Sequence, residues 1–139
     1  MEFSKLMLAA CGCLLLARAA WAREPLWKLD LGSEIAGAPA AVAGRALVAT
    51  KGGLLVALDE GGRIAWKQKF PGGFLSAPAV DRDGSVYVAG AAGTLLRFAA
   101  DGRELWRTAL GQELPATPLL GERSVFQVGG AGRVWRVRK

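Results

Sequence analysis

The chain has no histidine and no asparagine, and its only two cysteines, Cys11 and Cys13, lie within its first 22 residues. Without histidine there is no imidazole to act as a base near neutral pH and none to hold zinc. If the first 22 residues are removed, no thiol remains either, so no disulfide can brace the rest in an oxidising compartment. Stability then has to come from apolar burial. Long hydrophobic runs are also scarce. The longest, Leu6 to Leu16, would make a helix of about 16 Å against a hydrocarbon core of about 30 Å, too short to span a membrane.

That run has the layout of an export signal. Met1 to Lys5 forms a short n-region, Leu6 to Leu16 the apolar stretch, and Ala20-Trp21-Ala22 an A-x-A ending that fits signal peptidase. The expected division is a signal peptide at 1–22 and one domain at 23–139. A competing reading takes Leu8-Ala9-Ala10-Cys11 as a lipobox, which would lipidate Cys11 and anchor the chain at the outer membrane. The localisation is therefore periplasmic or secreted, with lipid anchoring as the alternative and membrane contact only through Cys11.

Removing 1–22 takes away Lys5, Arg18 and Glu2, leaving 16 of 18 basic and 11 of 12 acidic residues and a charge of +5. The excess lies near the end, in Arg107, Arg123, Arg133, Arg136, Arg138 and Lys139 against Glu113 and Glu122. In an exported chain such an edge suits an acidic protein surface or anionic headgroups rather than nucleic acid, or else a solvated rim that keeps the protein soluble.

What is present is a repeat. Trp27, Trp66 and Trp106 each precede a proline (Pro39, Pro78, Pro118) by twelve residues, and a glycine (Gly53, Gly93, Gly132) follows fourteen or fifteen later. The period is 39 to 40 residues, in the range of stacked repeat architectures. Aligned on the glycines, Ala46–Ala49, Val86–Ala89 and Val125–Val128 fall in one block, and Leu54–Leu58, Thr94–Phe98 and Arg133–Val137 in the next. Both blocks alternate with period two and are rich in β-branched and aromatic residues, so they read as strands. A short innermost strand follows each proline, whose predecessor is held extended. A fourth strand carries the tryptophan: Arg23 to Leu31, Arg63 to Phe70 and Arg103 to Leu110. The expected fold is all-β, a partial β-propeller of about three four-stranded antiparallel blades.

The WD40 signature is missing, with no Trp-Asp closing a blade and no Gly-His opening one. Ala57-Leu58-Asp59-Glu60-Gly61-Gly62-Arg63-Ile64-Ala65-Trp66, and more loosely Ala99 to Trp106, resembles the docking motif A-x-D-x-x-T-G-K-x-x-W of the pyrroloquinoline-quinone-type (PQQ-like) repeat family. The first match is one residue short and lacks the threonine. The resemblance covers about 23–139 and implies that Trp27, Trp66 and Trp106 dock against the neighbouring blade. It extends distantly to the Bam-type outer-membrane assembly scaffold, which has eight such blades. The family's quinone enzymes carry more blades, a paired-cysteine disulfide and Glu/Asn/Asp calcium ligands, whereas the chain after residue 22 has no cysteine, no asparagine and too few blades. No enzyme activity, cofactor or metal is therefore expected.

Asp81-Arg82-Asp83-Gly84 has alternating carboxylates, but position 12 from Asp81 is Ala92 rather than a bidentate glutamate, so it reads as a turn. Trp135, in the column of Val56 and Leu96, is expected in the core; exposed, it would form an interaction edge with Arg133, Arg136 and Arg138. The expected function is an exported, non-catalytic module that binds protein. An apolar face at each end would allow two chains to close a ring, the 23–31 strand of one completing the last blade of the other. The alternatives are a subunit or remnant of a quinone-dependent oxidoreductase, and a truncated non-functional fragment.

Overall fold

Three antiparallel sheets follow one another along the chain in the computed structural model, which describes residues 23–139. The expected signal segment 1–22 and the lipobox at Cys11 lie outside the described residues. The first sheet is a meander of β1 (Ala40–Val42), β2 (Arg45–Ala49), β3 (Leu54–Leu58) and β4 (Ile64–Lys69). The second repeats it with β5 (Ala79–Val80), β6 (Val86–Ala89), β7 (Thr94–Phe98) and β8 (Glu104–Ala109). The third holds β9 (Leu119–Leu120), β10 (Ser124–Val128) and β11 (Val134–Arg138). All regular structure among the described residues is β, and the arrangement is a partial β-propeller with each sheet a blade.

The registers repeat as faithfully as the sequence does. Val48 pairs with Val56 in the first sheet, Val88 with Leu96 in the second and Gln127 with Trp135 in the third. Each tryptophan-bearing strand contains a bulge at the same place, between Ala57 and Leu58 on one ladder and between Arg97 and Phe98 on the other. Ala65 and Leu105 are the extra residues, and such a bulge re-aims the side chains that follow it.

The core lies between sheets rather than beneath them. Val86, Val88, Leu96 and Phe98 of the second sheet pack with Leu47, Ala49, Leu55 and Ala57 of the first, together with Phe70 and Phe74. The alternate residues, Tyr87 and Leu95, face Val125 of the third sheet. A sheet covered on both sides needs apolar residues at every position, and β6 is buried along its whole length.

Two expectations are corrected. Arg23 to Leu31 forms no strand: it pairs with no neighbour and is exposed along most of its length. A strand exists only through a partner's backbone groups, and no strand among the described residues runs beside it. The end faces also differ. Val56 and Leu58, on the first sheet's outward side, are 0% and 5% exposed, whereas Leu119, Val128 and Val134 on the third are 69%, 43% and 65% exposed. A bare apolar face is present on the third sheet alone of these two.

Candidate protein-docking face

An indole laid over a glycine turn ties the segment before the first sheet to that sheet, and a second ties the first sheet to the second. Trp27 Nε1 donates to Glu60 O at 2.8 Å, and Trp66 Nε1 donates to Ala100 O at 3.0 Å. Beneath them, Gly62 and Gly102 have φ of +77° and +88°, and a Cβ on either would lie 2.5 Å from the indole Cδ2. Only glycine supplies both the left-handed turn and the room for the ring. Gln68 adds a second tie, its Nε2 donating to Gly102 O at 2.8 Å. Trp106 meets a different partner, the Tyr87 ring of its own sheet, edge-on at 6.0 Å and 63°. Among the described residues no turn follows β11 to receive it.

The third sheet's two faces follow from its ladder, because directly paired residues point the same way. Val125, Gln127, Trp135 and Val137 share the side turned to the second sheet; Phe126, Val128, Val134, Arg136 and Arg138 share the outward side. The repeat gives that outward side its meaning. Thirty-nine residues earlier, Phe126, Val134 and Arg136 correspond to Tyr87, Leu95 and Arg97. In the second sheet Tyr87 and Leu95 are fully buried and face the third sheet; in the third, Val134 is open to solvent.

The expected cluster of Arg133, Trp135, Arg136 and Arg138 is therefore divided. Arg133 precedes β11, Arg136 and Arg138 lie on the outward side, and Trp135 points the opposite way, toward the second sheet. Trp135 is half-buried rather than in the core. It covers Gly129, where a Cβ would meet its Cζ3 at 2.7 Å. Its counterparts Val56 and Leu96 have a fourth strand beside them; β11 has none among the described residues, which leaves one flank of the ring open.

Between the second and third sheets lies a cleft of about 860 Å³ bordered by Asp81, Arg82, Asp83, Arg97, Glu122 and Lys139. Four of these six charged residues form two ion pairs, Arg97 with Asp83 and Lys139 with Asp81. Arg97 Nη2 donates to Ser85 Oγ at 2.9 Å and to Asp83 Oδ2 at 3.3 Å, with its guanidinium carbon 5.5 Å from the Tyr87 ring centre. Asp83 also accepts from Ser85 N at 2.8 Å, and that backbone hydrogen bond is the main reason its carboxyl is held below the usual range. Lys139, expected in a solvated basic tail, instead pairs with Asp81 and lowers that carboxyl chiefly through a hydrogen bond. Desolvation pushes the Tyr87 phenol up, and its buried hydroxyl has no hydrogen-bond partner among the described residues. Asp81-Arg82-Asp83-Gly84 is a turn joining β5 to β6. Among the described residues no three acidic, cysteine or histidine side chains converge as a metal site would require.

The arginine cluster was not singled out from the sequence, yet a signal for it is there. Asp83, Ser85 and Arg97 recur at the same spacing as Glu122, Ser124 and Arg136, and Arg136 Nε donates to Ser124 Oγ at 2.9 Å. The outward side of the third sheet is thus an exposed apolar surface, with Leu119 and Val134 open to solvent and Arg136 and Arg138 beside them.

Comparison with known proteins agrees with the repeated-sheet fold. The sequence pattern of the family described as outer membrane protein assembly factor BamB matches residues 17–131. The protein of that name from Nitrosomonas eutropha is 31% identical over 81 residues, a stretch covering 58% of this chain and 20% of that protein. The crystal structure of BamB from Moraxella catarrhalis superposes with a TM-score of 0.68 at 25% identity, covering 81% of this chain and 36% of the other. The quinohemoprotein alcohol dehydrogenase ADHIIG of Pseudomonas putida HK5 shares the fold, with a TM-score of 0.70 at 21% identity over 81% of this chain and 20% of its own. This chain thus spans well under half the length of these relatives. The match over most of its residues, with the repeated sheets that produce it, places the chain in the outer membrane protein assembly factor BamB family of PQQ-like repeat proteins.

Proposed function

We propose that this chain is an exported, non-catalytic scaffold that binds protein through the outward face of its third sheet. One observation carries the reading: Phe126, Val134 and Arg136 stand where Tyr87, Leu95 and Arg97 of the preceding repeat cover another sheet. A surface built like an inter-blade contact is suited to receive a similar surface. In this reading Trp27 and Trp66 are the joints that keep the blades in register, Trp106 is the joint toward a further blade, and Arg133, Arg136 and Arg138 favour an acidic rim on the partner. The name of its relatives, assembly factors for outer membrane proteins, supports a periplasmic setting, soluble or anchored through Cys11. Residue inventory supports a binding role over that of a quinone-dependent oxidoreductase subunit, since the chain has no asparagine or histidine and no cysteine after Cys13.

The test is a photo-crosslinking amino acid placed at Val134 or Leu119 in cells, with Lys67 on β4 as the control. Protein adducts from the two outward positions and not from Lys67 support the reading. Absence of any adduct from Val134 and Leu119 overturns it.

A further inference from the structure

We propose that Asp81 and Lys139 form an ionic key that admits the third sheet onto the second and rejects the other sheet pairings that the repeat would allow. The key governs how the blades choose one another and is independent of what the outward face binds.

Blades written by one repeat carry a hazard. Sheets with matching strands and registers present similar faces. Apolar attraction is non-directional and follows buried area, so by itself it does not tell one such face from the next. Discrimination needs a group that is satisfied in one pairing and stranded in the others.

The two joints between sheets differ in this respect at matching positions. Leu47 pairs with Ala57 in the first sheet and Tyr87 with Arg97 in the second, so Ala57 and Arg97 correspond. Val42 lies opposite Arg45, and Asp81 lies opposite Ser85, donating from its backbone N to Ser85 O at 2.8 Å, so Val42 and Asp81 correspond. Ala100 stands two residues after Phe98, the partner of Val86, and Lys139 two after Val137, the partner of Val125. At the first joint Val42, Ala57 and Ala100 belong to one apolar core. At the second joint the same places hold Asp81, Arg97 and Lys139. Charge has replaced apolar contact on both sides of the joint.

Those charges are satisfied in the native order. Arg97 is held within its own sheet by Asp83, Nη2 to Oδ2 at 3.3 Å. Asp81 takes its cation, Lys139, from across the joint. The Lys139 and Asp81 side chains are only 15% and 16% exposed, so water does not replace a lost partner and either charge left alone is costly. Lys139 packed against the first sheet would meet Val42 and Ala57 in place of an acid. Ala100 packed against the second sheet would leave Asp81 without its cation. Each wrong pairing therefore strands a charge that the native pairing neutralises.

The experiment compares Asp81→Val with Lys139→Met, the single change Lys139→Met, and the charge-conserving Lys139→Arg. Thermal unfolding and the amide NMR spectrum of the purified chain are the two readouts. Exchanging a shielded ion pair for apolar groups of similar volume is neutral or stabilising, so the double variant should melt within about 4 °C of the parent. Its amides in β5 to β10 should nevertheless split, a second set of resonances holding about a tenth or more of the signal. Lys139→Met alone should melt lower than the double variant, because Asp81 is stranded, and Lys139→Arg should keep a single set. A double variant with one set of resonances overturns the proposal, since sheet choice then does not depend on the pair. A double variant as destabilised as the single one, or unfolded, also overturns it, because the pair then serves stability alone. Splitting in Lys139→Arg would do the same, since the cation is retained there.

Discussion

The Trp66 indole closes over Gly102 so tightly that a Cβ there would stand 2.5 Å from Cδ2 and 2.7 Å from Cε3 of the ring. Trp27 stands over Gly62 in the same way. Gly102→Ala should therefore be costly twice, once for a φ of +88° and once for displacing the ring. A loss of about 3 kcal/mol is expected, read from urea unfolding monitored by tryptophan fluorescence. A change below about 0.5 kcal/mol would show that the indole is free to move away.

Trp66→Ala should cost about 3 to 5 kcal/mol, the range for emptying an aromatic site. It joins the core shared by the first two sheets and loses the hydrogen bond to Ala100. In that background Gly102→Ala should lose its steric part and keep only the backbone part. The double-mutant cycle separates them: a coupling of about 1 kcal/mol or more places ring and glycine in contact, and strict additivity denies it.

Tyr87→Phe should leave stability unchanged or raise it by up to about 1 kcal/mol, because the buried hydroxyl has no hydrogen-bond partner among the described residues to lose. The ring contacts with Trp106 and Arg97 remain. A drop of more than about 1 kcal/mol in chemical denaturation would mean that the hydroxyl is bonded in solution.

Asp83 should contribute to acid sensitivity. Its folded carboxyl is lowered from the ordinary 3.8, first by the Ser85 amide and also by the Ser85 hydroxyl and Arg97. A lowered folded value means the unfolded chain takes up the proton first as pH falls. The contribution is therefore complete above about 3.8 and is lost as pH drops through the lower folded value. Unfolding midpoints of Asp83→Asn should depend less steeply on pH below about 4 than those of the parent chain. Parallel curves would remove Asp83 from the account.

Val134→Lys should change the stability of the isolated chain by no more than about 0.5 kcal/mol, as surface substitutions do, since Val134 is 65% exposed. The same change should abolish association through the third sheet. A large thermal destabilisation under conditions where the chain is monomeric would show that Val134 belongs to the fold and not to a docking face.

Much of the architecture was legible because a blade is a local object. The Trp–Pro–Gly spacing located three repeats, and Leu54–Leu58 and Thr94–Phe98 were read with the bounds they have. Strand identity depends on residues a few positions apart, and alternation with bounding glycines carries that information. The bulges beside Trp66 and Trp106 were not legible, because the extra residue is the second of its strand and only Ile64 or Glu104 stands before it to show the phase shift. Nor was the Arg97 cluster, whose members come together only when Tyr87 is laid across from Arg97 in the ladder.

By itself the sequence determined the period, the strands and the absence of histidine-based or thiol-based chemistry from residue 23 onward. Those are properties of composition and short-range order. The tertiary structure decided which apolar residues are core and which are surface. Leu95 and Val134 occupy the same column of the repeat, yet one is fully buried and the other 65% exposed. Arg23 to Leu31 has the residues of a strand and no ladder to join. The reason is physical: burial and strand pairing are relations between surfaces, and a repeat specifies each surface without specifying whether another lies against it.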